Sequence, residues 1–244
     1  VTADWIEPDW PAPPHVRGLV TTRNGGVSTG PYASMNLALH VGDSVADVQR
    51  NRALLRKCLP DEPAWLEQVH GIAVTDADGI GAPARADASV ATRSGAVCAV
   101  MTADCLPVLF CNDEGSVVAA AHAGWRGLAA GGLDATLARM GVPAATVMAW
   151  LGPAIGPAAF EVGEEVREAF VAADPATAIA FRPAAGAGKW MADLFLLARL
   201  RLARLGVSRT YGGGICTYAE RDRFFSYRRE GITGRFVSMV WLAP

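Results

Sequence analysis

Histidine is scarce in this chain: 244 residues contain four, at positions 15, 40, 70 and 122. Any centre that needs many imidazoles is therefore excluded. Charge is also thin, at 19% Asp, Glu, Lys and Arg with a net charge of −2. No long basic run exists, so the electrostatic footprint of a nucleic-acid binder is missing. A small anion needs only one or two local cations and stays open as a ligand. No apolar stretch approaches the ~20 residues that cross a bilayer. The N-terminal VTADWIEPDWPAPPHVRG is polar and proline-rich, unlike a signal peptide. The five cysteines contain no CxxC pair, which speaks against a disulfide framework and for free thiols in a reducing, cytoplasmic setting. No GxGxxG or Walker loop follows a strand, which argues against dinucleotide and P-loop nucleotide binding. Repeats and low-complexity linkers are missing too, and no apolar helix stripe is left over for a partner, so a monomer is expected.

Hydrophobic residues make up 51% of the chain, enough for a substantial core. Helical spacing marks 43–59, 124–141, 163–174 and 190–206. Strand patterns mark 16–22, 67–77, 95–104, 106–112, 116–124, 146–153 and 235–243. Gly-, Ser- and Pro-rich stretches at 23–36 and 183–189 read as loops, and YGGG at 211–214 as a tight turn. Strands outnumber helices without alternating with them. The expected fold is therefore α+β: mixed β-sheets packed together with helices outside, as a single domain over residues 1–244.

The stretch AAAHAGWRG, 119–127, sets one of the rare histidines among residues too small to hold it by packing. Upstream, MTADCLPVLF places Cys105 in another apolar run. Asn112-Asp113-Glu114-Gly115 between them has turn chemistry. If Asp113 and Glu114 are the two loop residues, paired positions sum to 227 and Cys105 faces His122 directly. A bulge at Gly115 would shift that register by one. A Cys and a His at this distance suit either a dyad, with imidazole drawing off the thiol proton, or a shared metal, since thiolate and imidazole are preferred Zn²⁺ ligands. His15, His40 and His70 are the candidate third ligands. A His, Cys, His set would leave a fourth tetrahedral position open, as catalytic zinc sites do.

The phrases TTRNGGVSTGPYASMNLALHVGD, WLEQVHG, RADA, CAVMTADCLPVLF, AAAHAGWRGLAAG, AWLGPAIGPAAFEVG and CTYAERDRFFSYRREGITGR fall in order from about residue 5 to the C-terminus. Together they resemble the YfiH-like laccase-domain family, whose members are described as polyphenol oxidases and as purine nucleoside phosphorylases; the likeness is greatest to its peptidoglycan-editing branch. The resemblance implies a single zinc ion on His70, Cys105 and His122. It implies phosphorolysis of adenosine, inosine and methylthioadenosine, with adenosine deamination beside it. Its alternative is an amidase that edits UDP-muramoyl-amino-acid precursors of the cell wall. A polyphenol oxidase is disfavoured by the histidine count, and copper at one His, Cys, His set reads as adventitious because copper outranks zinc in intrinsic affinity.

Phosphorolysis needs a held phosphate. Arg23 in the Gly-rich loop is the expected holder, with Arg126 and Arg52 as alternatives. Asn36 and Gln68 are amides suited to a purine edge or a ribose hydroxyl. Asp104 is expected at the chemistry, orienting a ligand histidine or taking a proton, if the Pro107 kink swings it inward. The basic, aromatic stretch RDRFFSYRRE reads mainly as edge-strand snorkelling.

Overall fold

The computed structural model describes residues 4–79 and 81–244. Two mixed sheets face each other. The larger has the order Arg209–Gly212, Val147–Leu151, Leu106–Asn112, Val118–Ala123, Ala88–Ala91, Val74–Asp76. The smaller has the order Val16–Val20, Phe236–Leu242, Val97–Thr102, Pro63–Ala64. A three-stranded flap of Phe181–Pro183, Lys189–Ala192 and Glu161–Gly163 completes the strands.

The strand LPVLFCN is apolar at every position because both of its faces are buried. Leu109 and Cys111 point between the sheets, where they meet Cys98, Val100, Phe236 and Val240 of the smaller sheet. Val108 and Phe110 point the other way, against Leu128, Leu133 and Leu197 of the outer helices. On the far side of the smaller sheet, Val97, Ala99 and Met101 pack with Leu55 of the helix Val45–Arg56. Helix, sheet, sheet and helix thus form four layers. The expected α+β fold, with mixed sheets inside and helices outside, is what the chain adopts.

Five local expectations differ. The 106–112/118–123 hairpin pairs Pro107 with His122 and Cys111 with Val118, so positions sum to 229 and not 227. The Asn112 side chain accepts from Ser116 N and Val117 N, which lengthens the loop to four residues. A shift of two keeps Cys105 on the His122 face but makes it a diagonal neighbour. The 67–77 stretch is a strand only at Val74–Asp76. The 124–141 helix is two helices, Trp125–Ala130 and Gly132–Met140, because Gly131 turns left-handed at φ 97°. The first two residues of the expected turn at 211–214 end the parallel strand Arg209–Gly212, and Lys189–Ala192 is a strand ahead of the helix Leu194–Arg204.

Candidate metal centre and cavity

The two sheets are joined at one end by a three-residue crossing. The smaller sheet's strand ends at Thr102, the larger sheet's begins at Leu106, and Asp104 makes the bend at φ 98°. Cys105 is the last residue of that crossing. His122 lies within the Val118–Ala123 strand and is 6% exposed. His70 sits in a loop at φ 60°, a left-handed conformation uncommon for residues other than glycine. Gln68 supplies part of the hold: its amide donates to Met101 O at 2.9 Å and accepts from Met101 N at 2.8 Å, which hooks the loop to the smaller sheet.

Asp87 supplies the rest. Its Oδ1 accepts from His70 N at 2.9 Å, and its Oδ2 from Gly71 N at 2.7 Å and Val69 N at 3.3 Å. These three amide groups converge on one carboxylate, which a strand's alternating N–H groups cannot do. That is why 67–71 is not extended. The same Oδ1 meets His122 Nδ1 at 2.8 Å. A carboxylate there keeps the proton on Nδ1 and leaves Nε2 facing the cluster. Burial alone would raise the Asp87 carboxyl; the His122 and backbone hydrogen bonds outweigh it and hold it below its usual range.

His70, Cys105 and His122 thereby bring one donor atom each to within 4.8 Å of one another. Cys105 Sγ lies 3.8 Å from His70 Nε2, and the two imidazole centroids are 4.7 Å apart, edge to face. Tetrahedral zinc, with Zn–S about 2.3 Å and Zn–N about 2.0–2.1 Å, places S and N about 3.6 Å apart and N and N about 3.3 Å apart. The donors therefore fit an ion after an inward movement of about an ångström at most. The small residue behind them is also explained. A Cβ on Gly124 would stand 2.9 Å from His70 Cδ2 and 3.1 Å from Cys105 Sγ, so only glycine leaves the three donors room to converge. The cluster is electrically coupled. Burial pushes the Cys105 thiol up, but the His122 charge and hydrogen bonds from both histidines bring it down to about 6. Burial pulls His122 down, while the Cys105 and Asp87 charges and hydrogen bonds carry it up to about 9. Both shifts run in the direction that favours a thiolate beside an imidazolium.

The cluster forms one wall of a cavity of about 530 Å³, within the range of small-molecule sites. Trp125, Phe160 and Tyr227 give it aromatic surface, and Arg126, Arg228 and Arg235 give it positive charge. Of the residues expected there from the sequence, Gln68, Asp104 and Arg126 line it and Arg23 and Asn36 do not. Arg23 spends its guanidinium on Ala33 O, Arg221 O and Glu230 Oε1, stacked over Phe225, and is a clamp on the Gly-rich loop. Asn36 is fully buried and committed to Ala38, Asp43 and the Arg235 backbone. Gln68 lines the cavity, but its amide is spent on Met101. Asp104 accepts from Thr217 Oγ1 at 2.6 Å and Arg228 N at 2.7 Å. The histidine-orienting carboxylate is Asp87 instead, because the left-handed bend at Asp104 turns that side chain toward the Thr217 and Arg228 segment. Sequence reasoning missed Asp87, Arg228 and Arg235. The first stands in the RADA phrase ahead of an apolar strand. Arg228 belongs to RDRFFSYRRE, whose helix Tyr227–Glu230 borders the cavity and does more than snorkel.

A mixed-sheet α+β fold with one His, Cys, His donor set at the wall of a cavity defines a class of protein able to hold a single metal ion beside a small ligand. A sequence profile described as multi-copper polyphenol oxidoreductase laccase matches residues 17–243, and the chain belongs to that family. It is 56% identical to a Pseudomonas aeruginosa protein named purine nucleoside phosphorylase PA4543, over 98% of both chains. Identity is 53% to the Escherichia coli protein named purine nucleoside phosphorylase YfiH, over 97% of this chain and 98% of that one. Among solved structures, Neisseria meningitidis protein NMB0706 superposes with a TM-score of 0.95 at 53% identity, covering 99% of this chain and 100% of that one. YlmD from Geobacillus stearothermophilus gives 0.92 at 30% identity, covering 100% and 98%. No helix among the described residues is long and apolar enough to cross a membrane.

Proposed function

We propose that this chain is a zinc-dependent purine nucleoside phosphorylase acting on adenosine, inosine and methylthioadenosine, with adenosine deamination as a second activity. The observation that carries the reading is the His70, Cys105, His122 donor set opening onto a 530 Å³ cavity with aromatic and cationic walls. The names of the relatives at 53% and 56% identity support it. In phosphorolysis, an oxygen of dihydrogen phosphate bonds to the anomeric carbon as the bond from that carbon to the purine nitrogen breaks. The electron pair leaves with the purine, which takes up the proton that the phosphate gives up. The chain's task is to hold the two reactants in line and exclude water. Trp125, Phe160 and Tyr227 provide apolar surface for the purine, and Asp104 holds the Arg228 segment at the cavity's edge through its backbone N–H. A zinc ion on the three donors would supply Lewis acidity, which deamination in particular requires. Copper in this set would be adventitious: the other histidines do not extend it, since His15 bonds Gly115 O and the metal-competent cluster found among the described residues has three members. The reading places the protein in the cytoplasm as a monomer, with small molecules as its partners and neither nucleic acid nor membrane among them.

The test is incubation with adenosine and phosphate, followed by chromatography, beside a Cys105→Ala variant. Adenine formed only with phosphate and only by the native protein is the expected result, with inosine reporting deamination. Untouched adenosine overturns the reading.

A second reading has its own observation. Asp87, His122 and Cys105 stand in sequence as carboxylate, imidazole and thiol, the arrangement of nucleophilic hydrolases. In an amidase editing UDP-muramoyl-amino-acid precursors, Sγ would attack the amide carbonyl, His122 would pass the thiol proton to the departing amine, and water would then cleave the thioester, freeing the acid and restoring the thiol. A thiolate used as a metal ligand is not free to attack. A chelator therefore separates the two: serine release from a nucleotide-linked muramoyl-serine that survives metal removal favours this hydrolase, and no release at all removes it.

A further inference from the structure

Three arginines line the cavity, and the ion pairs among the described residues all involve other cations. Arg126 lies over the Trp125 ring and Arg228 gives Nη1 to Glu161 O. Arg235 is the most constrained of the three. Its backbone N–H donates to Asn36 Oδ1 at 2.9 Å, and its carbonyl accepts from Leu37 N at 3.2 Å. Its Nη1 is fixed by the carbonyls of Thr233 and Gly234, both at 3.0 Å. Those bonds leave Nε and Nη2 without a partner among the described residues. That pair is the edge of a guanidinium that makes two parallel hydrogen bonds to a phosphate or carboxylate. A partly buried cation without a carboxylate is costly unless a ligand completes it.

We propose that Arg235 is the oxyanion anchor of this cavity, presenting its Nε and Nη2 edge to inorganic phosphate beside the His, Cys, His cluster. Arg228 and Arg126 are outlying cations that draw the anion in. This rests on the phosphorylase reading for the choice of free phosphate over a phosphate ester. Asn36 then has a role unlike the one its side chain suggested: it touches no ligand and holds the arginine's main chain in place.

The experiment is isothermal titration calorimetry of the whole protein with inorganic phosphate, and separately with adenosine 5′-monophosphate, for wild type, Arg235→Gln and Arg235→Lys at matched metal content. A lost charge-assisted hydrogen-bond pair raises the phosphate Kd by roughly 10- to 100-fold in the Gln variant. The Lys variant recovers part of the affinity, because it restores charge without the fork. If the Gln variant does not fold, the Lys variant carries the comparison, and an unchanged phosphate Kd in it overturns the proposal. So does an unchanged Kd in the Gln variant, or a wild type that binds no phosphate. Dependence on Arg235 for the monophosphate alone also overturns it, since the anion would then be an ester. Phosphate binding that needs Arg235 in a protein that leaves adenosine intact keeps the anchor and sinks the phosphorylase. Phosphorolysis that does not need Arg235 does the reverse.

Discussion

Asp87→Asn changes one oxygen to an NH₂ group and removes one charge, at a residue only 3% exposed. The carboxylate now accepts from four donors, two on each oxygen: His122 Nδ1 and His70 N on Oδ1, Gly71 N and Val69 N on Oδ2. An amide turned either way points N–H at two of them. Hydrogen bonds to a charged group contribute about 1.5–3 kcal/mol each, and a buried donor facing a donor forfeits its desolvation as well. Part of this is recovered because the 69–71 loop is exposed and water reaches it. The net expectation is a loss of about 3–5 kcal/mol, the range for breaking a buried charged pair. The second effect falls on the metal. With its orienting carboxylate gone, His122 is free to change tautomer, and metal affinity is expected to fall by about 10- to 100-fold. Urea unfolding of chelator-treated protein reads the first quantity, and zinc competition against a chromophoric chelator reads the second. The pH dependence supplies a signature. Asp87 is held below its ordinary value in the folded state, so its contribution is complete above that value and is lost as pH falls through the lower folded one. The variant lacks that portion of the acid loss. Zinc affinity equal to wild type, with stability within about 0.5 kcal/mol, would show that Asp87 does not organise the site.

Two other substitutions check different links. Gly124→Ala puts a methyl at 2.9 Å from His70 Cδ2 and 3.1 Å from Cys105 Sγ; the His70 loop should yield, costing about 1–3 kcal/mol and weakening metal binding, and unaltered metal affinity in that variant refutes the convergence argument. Arg23→Gln is expected to lower stability by about 1–3 kcal/mol while leaving the phosphate KM unchanged, because Arg23 clamps a loop away from the cavity. Glu230, pushed up by burial but brought down to about 2 by Thr233, Arg23 and Arg229, contributes stability above its usual 4.5 that disappears as pH falls toward 2; the Arg23 variant should lose less over that interval in acid titrations of unfolding.

What the sequence discloses follows the range of the interactions. LPVLFCN coincides with its strand residue for residue because burial on both faces leaves no polar position to blur the pattern. That Cys105 and His122 share a face was legible, since a register slip of two preserves it. The register was not, because Asn112 folds its amide over a longer loop than turn chemistry alone implies. The backbone at His70 was hidden for a related reason: the carboxylate that shapes it lies 17 positions away in sequence. The same applies to the cations. The composition counts 22 of them, but whether an arginine keeps a free edge depends on which carboxylates fold beside it. Arg23 and Arg235 look alike in one dimension, and only the fold gives one of them Glu230.

The crossing at residues 103–105 has a consequence for how the molecule comes together. His70 is tethered through Gln68 to the smaller sheet and through Asp87 to the larger, Cys105 closes the crossing between them, and His122 lies inside a strand of the larger. The donor set thus straddles the seam between the layers. An ion bound by all three would act as a rivet through the seam, and its affinity would be paid only to chains whose layers have already docked. Saturating it would add RT ln(1 + [ion]/Kd) to the stability of the joined layers and nothing to either one apart. Loss of the ion would then be felt first as slippage between the sheets, well before any strand inside them unravels.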